Sequence, residues 1–297
     1  MTVRSLLEST RALATGAGPA STQVNALTVD VEEYFTVQNL DGVVPRERWP
    51  AQPLRADRQT RRLLDLFEAH QVRATFFVLG WVAERHPSLV REIHRRGHEI
   101  AAHSYWHRLV YELTPEEFRA DLRRVRELLE DLIGETVRGY RAPTYSVTER
   151  SLWAHTILAE EGFRYSSSIF PIAHDRYGIP TYSRFPIEID VGSGTIWEFP
   201  LTTLRVRGKN LPIAGGGYLR LLPARSVATA LAWVNRQEQQ PAILYLHPWE
   251  IDPEIPRFRQ SFLRDTRGYI GLGGMLDKLD YLLSVLRFDR VDRVLRL

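Results

Sequence analysis

The 297-residue sequence predicts an α/β fold, a sheet or barrel of parallel strands clothed by helices. Three observations predict it. Short apolar runs of strand length recur along the chain, helix-like segments with recognisable caps separate them, and the two kinds alternate through the first half. An apolar fraction of 44% with 25% charged residues suffices to bury a substantial core. The length suits one large α/β domain as well as two small ones.

The opening "MTVRSLLESTRALATGAGPAST" lacks the continuous apolar middle of a secretory signal, and residues 1–24 read as a flexible or weakly helical tail. The first strand is "NALTVDV" (25–31), an apolar and β-branched run. A helix over 58–70 leads to the second strand, "RATFFVLG" (73–80), and another over 81–96 leads to the third, "HEIAAH" (98–103). The helix 115–133 opens with "TPEE", a Thr cap, Pro at the first turn and early carboxylates. A fourth strand, "VRGYRAP" (137–143), follows, and then a helix "ERSLWAHTILAEEG" that ends at Gly162.

Beyond that point the rhythm fades. "YSSSIFPIAHDRYGIPTYSRFP" is loop-like, "LPIAGGGYLRLLP" (211–223) reads as a glycine loop entering a helix near 224–239, "AILYLH" (242–247) is a fifth strand, and 274–287 reads as a terminal amphipathic helix. No internal repeat or low-complexity linker is present, which favours one domain with an elaborated C-terminal half.

Composition excludes several function classes. The net charge of +3 comes from 39 basic residues scattered among 36 acidic ones, and no basic block carries interleaved aromatics, so nucleic-acid binding is not expected. With no cysteine, thiolate metal sites and disulfides are impossible, and His, Asp and Glu are the only ligands for a metal. No apolar run approaches the ~18 residues of a membrane span. A cytoplasmic protein without an integral membrane segment is the expectation.

Four stretches can carry chemistry. In "HSYWH", His103 and His107 sit four apart, a spacing that on a helical turn would aim both imidazoles at one divalent ion. His98 points elsewhere and reads as structural. The first strand ends by presenting Asp30, Glu32 and Glu33 at the sheet edge where parallel α/β folds place their active sites. Asp30 and Glu32 share a face of an extended chain, whereas Glu33 reads equally as a helix cap. Arg141, in "RGYRAPTYS", could hold Asp30 ionised through bidentate contact. "ILYLHPWE" delivers His247 at a strand end, where an imidazole can act as general acid.

In this order, the stretches resemble the polysaccharide deacetylase family, also called the NodB-homology domain or carbohydrate esterase family 4. The closest likeness is to the subgroup associated with exosortase and exopolysaccharide gene clusters. "TVDVEEYF" is similar to the first family motif, "HSYWH" to its His-Ser-x-x-His, "RAP" to its Arg-x-Pro and "YLHPWE" to its Leu-x-His strand. The spans "TFFVLGWVAERHP" and "RRGHEIAAHSYWH" match the text around the metal motif, and the similarity runs from about residue 26 to residue 290.

The resemblance implies a distorted (β/α)7 barrel over 25–290, with a subgroup-specific part from about 155. It implies Asp30 as general base, Glu32, His103 and His107 as ligands of a divalent metal, zinc by default, Arg141 as partner of the base and His247 as general acid. The implied reaction is removal of N-acetyl groups from an N-acetylated oligo- or polysaccharide, or its lipid-linked precursor, in exopolysaccharide biosynthesis.

Departures from the family pattern leave alternatives open. Val31 separates Asp30 from Glu32 where the common motif has adjacent aspartates, so the carboxylate ligand is Glu32 or Glu33. That spacing also occurs in relatives that hydrolyse cyclic amides and imides, which is the second reading of function. A catalytically silent carbohydrate-binding protein is the third. Thr144 stands where many members have Tyr, so the oxyanion amide is that of Thr144 or Tyr145. Ser166 replaces an Asp frequent in the subgroup. For stacking on sugar rings the candidates are Tyr105, Trp106, Tyr145, Trp197 and Trp249, while glycines 215–217 read as a tight loop rather than a phosphate cradle.

Overall fold

The computed structural model describes residues 23–40, 42–258 and 268–297. Nearly all of the expected N-terminal tail therefore lies outside the described residues. The strands are β1 (Asn25–Val31), β2 (Thr75–Val78), β3 (Glu99–Ala102), β4 (Gly139–Tyr140), β5 (Tyr165–Ser166), β6 (Ile187–Asp190), β7 (Thr195–Glu198), β8 (Thr203–Val206), β9 (Lys209–Pro212), β10 (Ile243–Leu246) and β11 (Phe288–Asp289). One sheet runs in the order β10-β1-β2-β3-β4-β5-β7-β6, with β11 paired to the start of β1. Pairing is parallel from β10 through β7, and β6 returns antiparallel on β7. The sheet curls into a half-barrel, the α/β barrel class expected.

Every residue of β1 is buried, as expected for a parallel sheet covered on both faces. The period of two sorts its side chains. Leu27, Val29 and Val31 join Phe76, Val78, Ala102, Leu244 and Leu246 in the large core packed against helices. Ala26 joins Phe77, Ala101, Tyr165, Ile243 and Tyr245 in a second cluster, closed by Phe170, Phe199 and Leu201 from the C-terminal half. Asp30, His103, Arg141 and His247 follow the alternation of this second set, so their facing is decided by strand register.

The helix Pro115–Ile133 matches its expected bounds because its ends are written locally. Thr114 accepts the Glu117 N–H (3.2 Å), the Glu117 carboxylate accepts the Thr114 N–H (2.9 Å), and Gly134 closes the helix with φ 71°. It buries Phe118, Leu122, Val125 and Leu129, each contributing about 1.5–3 kcal/mol. Thr114→Ala is expected to cost about 1 kcal/mol in urea unfolding, with activity unchanged.

Other expectations need correction. The single helix over 81–96 is two, Gly80–Arg85 and Pro87–Arg95, because Pro87 forces His86 out of helical geometry (φ −125°, ψ 55°). The strand over 137–143 pairs only at Gly139–Tyr140 before Pro143 turns the chain. In the loop-like region β5 forms, and beyond it come two hairpins. The second, β8–β9, turns through Arg207 and Gly208, both at positive φ (49° and 78°) as a two-residue hairpin loop requires. The helix Met275–Val285 is not terminal, since β11 and the helix Val291–Leu295 follow it.

His98 lies at the opposite end of β3 from the site and has the structural role expected. Its Nδ1 accepts the Ala74 N–H (3.1 Å) and its ring packs on Phe67 and Phe76. Burial first, then the cations Arg73, Arg96 and Arg290, push its pKa down to about 3. Between about pH 6.5 and 3 the unfolded chain therefore binds a proton that the folded chain refuses. Stability through this group falls by about 1.4 kcal/mol per unit as pH drops through that window. In urea unfolding from pH 6.5 to 4.5, His98→Gln is expected to show the shallower loss; equal slopes would contradict it.

Candidate active site

The predicted site residues gather at the C-terminal ends of parallel strands: Asp30 as the penultimate residue of β1, Glu32, His103, Arg141 and His247 one position past β1, β3, β4 and β10, and His107 on the loop after β3. At the end of β1 the Glu32 N–H turns back onto the Asp30 carbonyl (3.0 Å), ending the strand. Asp30 and Glu32 are each 2% exposed. Glu33 goes elsewhere: its carboxylate accepts the N–H groups of Arg55 (2.9 and 3.0 Å) and Ala56 (3.0 Å), capping the helix Ala56–Ala69. A carboxylate at a helix N-terminus is favourably placed.

The two histidines of "HSYWH" do not share a helical turn. His103 extends the β3 ladder, its N–H donating to the Val78 carbonyl (3.2 Å), and the chain then loops through left-handed residues Ser104 (φ 62°) and His107 (φ 56°). Such values are uncommon for non-glycine residues and mark a conformation held by its surroundings. Asp121, on the helix Pro115–Ile133, holds the loop by accepting the Tyr105 N–H (3.1 and 3.2 Å), and Gly80 and Trp81 donate to the Ser104 and Tyr105 carbonyls.

The loop brings His107 Nε2 to 2.8 Å and His103 Nε2 to 3.9 Å from one oxygen of Glu32. One ligand atom from each of the three residues lies within 4.8 Å of the other two, and all three residues are buried. The donor set fits a divalent metal. His103 Nδ1 sits 2.8 Å from the Arg141 carbonyl, which fixes the proton there and leaves the Nε2 lone pair for an ion. Burial works against ionisation of Glu32, but contact with His107, then His247 and His103, lowers its pKa to about 2. Burial lowers His103 to about 4, so this ligand is neutral. Two imidazoles and one carboxylate leave coordination positions open, as in catalytic zinc sites.

Arg141 is fully buried and contacts Asp30 through one nitrogen (2.6 Å), not two. The same nitrogen donates to Thr28 Oγ1 (2.9 Å), while Nε and the other terminal nitrogen donate to the carbonyl (3.1 Å) and hydroxyl (2.9 Å) of Ser167. The expected bidentate fork is thus shared between a carboxylate and a serine. Phe77 carries the guanidinium on its ring at 4.1 Å. Ser166 is buried and bonds Ser168 (2.8 Å), which in turn accepts the Ala142 N–H (2.9 Å), so it organises the loop.

His247 follows β10, with Nε2 3.5 Å from Glu32 and 3.9 Å from Asp30. Its Nδ1 lies 3.1 Å from Glu250, whose same oxygen accepts the His247 N–H (3.0 Å) and whose other oxygen accepts Arg220 Nε (2.8 Å). Burial alone would pull the imidazole down; the Glu250 bond and the Glu32 and Asp30 carboxylates overcome it and raise its pKa to about 9. Trp249 stacks on the ring (5.1 Å between centroids). Sequence reasoning missed the roles of Glu250, Arg220 and Ser167. A His-x-x-Glu spacing just past a strand was the available signal for Glu250; Ser167 and Arg220 had none.

The aromatic candidates divide. Tyr105 is 2% exposed beneath Arg124 and bonded to Glu84, which removes it as a sugar platform, and Tyr145 is buried with its hydroxyl 3.5 Å from Asp30. Trp106, Trp197 and Trp249 are partly exposed. The Tyr145 N–H is taken by the Ala142 carbonyl (3.0 Å). Glycines 215 and 216 let their loop press against Tyr245 of β10, where a Cβ would collide, the packing role expected of the tract.

Residues 50–165 match the polysaccharide deacetylase family model, and residues 167–296 match a domain of unknown function (DUF3473). The polysaccharide deacetylase match takes in His103, His107 and Arg141, while Asp30 and Glu32 lie before it and His247 lies within the second match. A peptidoglycan-N-acetylglucosamine deacetylase of Bacillus cereus is 35% identical over 96 residues, 32% of this chain and 35% of that protein. The chain spans about a third of the length of the first curated relatives it matches. Among solved structures, a candidate polysaccharide deacetylase from Mycobacterium smegmatis shares the fold at TM-score 0.59 and 24% identity, covering 92% of this chain and 88% of that one. The Puue allantoinase shares it at TM-score 0.60 and 18% identity, covering 96% and 95%.

Proposed function

We propose that this protein is a metal-dependent N-deacetylase of N-acetylated polysaccharide, or of its lipid-linked precursor in exopolysaccharide biosynthesis, working as one catalytic domain over 25–290. The observation that carries this reading is the convergence of a three-ligand cluster, Glu32, His103 and His107, with an Arg-held carboxylate and a Glu-held imidazole in one buried locus. The names of curated relatives support the substrate class.

Glu32, His103 and His107 hold the ion, with zinc the default for this donor set. When bound, a divalent metal supplies polarisation of the acetamide carbonyl and acidification of water. Asp30, oriented by Arg141, accepts the proton of the attacking water. The Thr144 amide is the candidate for the developing oxyanion, since that of Tyr145 is already bonded. His247, protonated and braced by Glu250, gives its proton to the departing amine, and Trp249 offers a stacking face. The products are acetate and a free amino sugar.

Glu250→Gln removes a charge that keeps His247 protonated. The alkaline limb of kcat/KM is therefore expected to move to lower pH while the acid limb holds; an unmoved alkaline limb would remove His247 as the acid. The Asp30-Val31-Glu32 spacing keeps a second reading alive, hydrolysis of cyclic amides or imides. A panel of N-acetylated oligosaccharides and cyclic imides, assayed with metal-loaded protein, separates the two. Acetate release supports the deacetylase, and ring opening without acetate release replaces it.

A further inference from the structure

A cavity of about 940 Å³ lies between the loop around 171–181, the β8–β9 hairpin and the short helix Gly216–Leu221. None of the proposed catalytic or metal-binding residues lines it. Its wall is mainly apolar, with Pro171, Ile172, Pro212, Tyr218 and Leu222, and the hairpin supplies Arg205 and Lys209. The size suits a small chain of sugar rings, whose C–H faces pack on apolar surface.

The charge of this region is one-sided. From Phe199 to Gln237 the sequence contains no Asp or Glu, while Arg205, Arg207 and Lys209 follow one another along the hairpin, all exposed. Among the described residues, none of the three forms an ion pair; Arg205 has only the Asn210 side chain at 3.4 Å. The acid nearest the rim in sequence, Asp175, is exposed and lies 3.0 Å from the His174 ring. Exposed cations in excess over the one carboxylate beside a concave mouth attract an anion.

The cavity is also built and placed. Asn210 ties the hairpin to the loop by donating to the carbonyls of Pro171 (2.7 Å) and Pro180 (3.3 Å). The helix bearing Tyr218 starts at Gly216, which abuts the Tyr245 ring, and that ring lies 5.7 Å from His247. The helix that lines the cavity through Tyr218 thus starts against the residue two positions before the proposed acid.

We propose that this cavity is a glycan subsite for an anionic, carboxylate-bearing stretch of the polysaccharide, with Arg205 and Lys209 reading the charge. The inference rests on the polysaccharide reading for its biological meaning, but its test needs no turnover. Hexagalacturonate and cellohexaose lack acetamides, so calorimetric titration of each into the full chain measures binding alone. Hexagalacturonate should bind about tenfold tighter, as two rim charge contacts allow, with a preference that fades as salt screens it. Arg205→Ser with Lys209→Ser should abolish the preference, Arg205→Glu with Lys209→Glu should reverse its sign, and acetate release from a short neutral substrate should stay unchanged.

Equal binding of the two oligomers, or a preference that survives both variants, overturns the subsite. So does tighter binding of the full chain to vesicles of anionic lipid than to the glycan. Charge-dependent binding lost in the variants, from a protein that releases no acetate, would keep the subsite and overturn the deacetylase reading instead.

Discussion

Asp30→Asn is expected to lower kcat for acetate release by about 10²–10⁴, the range a general base contributes, while metal content remains that of the unaltered protein. The substitution keeps the shape and an oxygen for Arg141, but removes the basic oxygen. Metal binding should persist because the ligand cluster is made by Glu32, His103 and His107. The folding cost should fall below the about 3–5 kcal/mol typical of breaking a buried ion pair. Thr28, Ser167 and the Phe77 ring still surround the guanidinium, and the Asn oxygen still accepts from it. Normal kcat in the variant would show that Asp30 is not the base.

Glu32→Gln and His107→Ala should each abolish acetate release together with stoichiometric metal binding. Losing a ligand should weaken affinity by more than the roughly 10–100-fold that loss of an outer hydrogen-bond partner costs. Glu33→Gln is the control, because the Glu33 carboxylate serves backbone N–H groups at a helix start. It should retain metal and lose stability. Metal content measured by atomic emission after gel filtration separates the control from the other two. Retained metal in Glu32→Gln with loss in Glu33→Gln would exchange their roles.

Much of this arrangement is written locally. The buried runs of β1, β2, β3 and β10 read directly from their apolar residues, and the helix Pro115–Ile133 reads from its caps. The predicted site residues converge because Glu32, His103, Arg141 and His247 each sit one position past a strand end and Asp30 is the penultimate residue of β1. Local spacing misled at His103 and His107. Four residues apart suggests a helix, but sheet pairing at His103 and the grip of Asp121 on Tyr105 impose left-handed turns instead. Long-range partners left no local mark: Ser167 meets Arg141 across 26 positions and Arg220 meets Glu250 across 30. The hairpins β6–β7 and β8–β9 escaped because four-residue, half-exposed strands lack the continuous burial that betrays a parallel one.

The most direct test is acetate release from N-acetylated oligosaccharides by one preparation assayed as purified, after chelation, and after zinc is returned. Release that vanishes with the chelator and comes back with zinc is the predicted result. Release indifferent to chelation, in protein whose metal content is shown to have fallen to zero, would contradict a hydrolytic centre built on Glu32, His103 and His107.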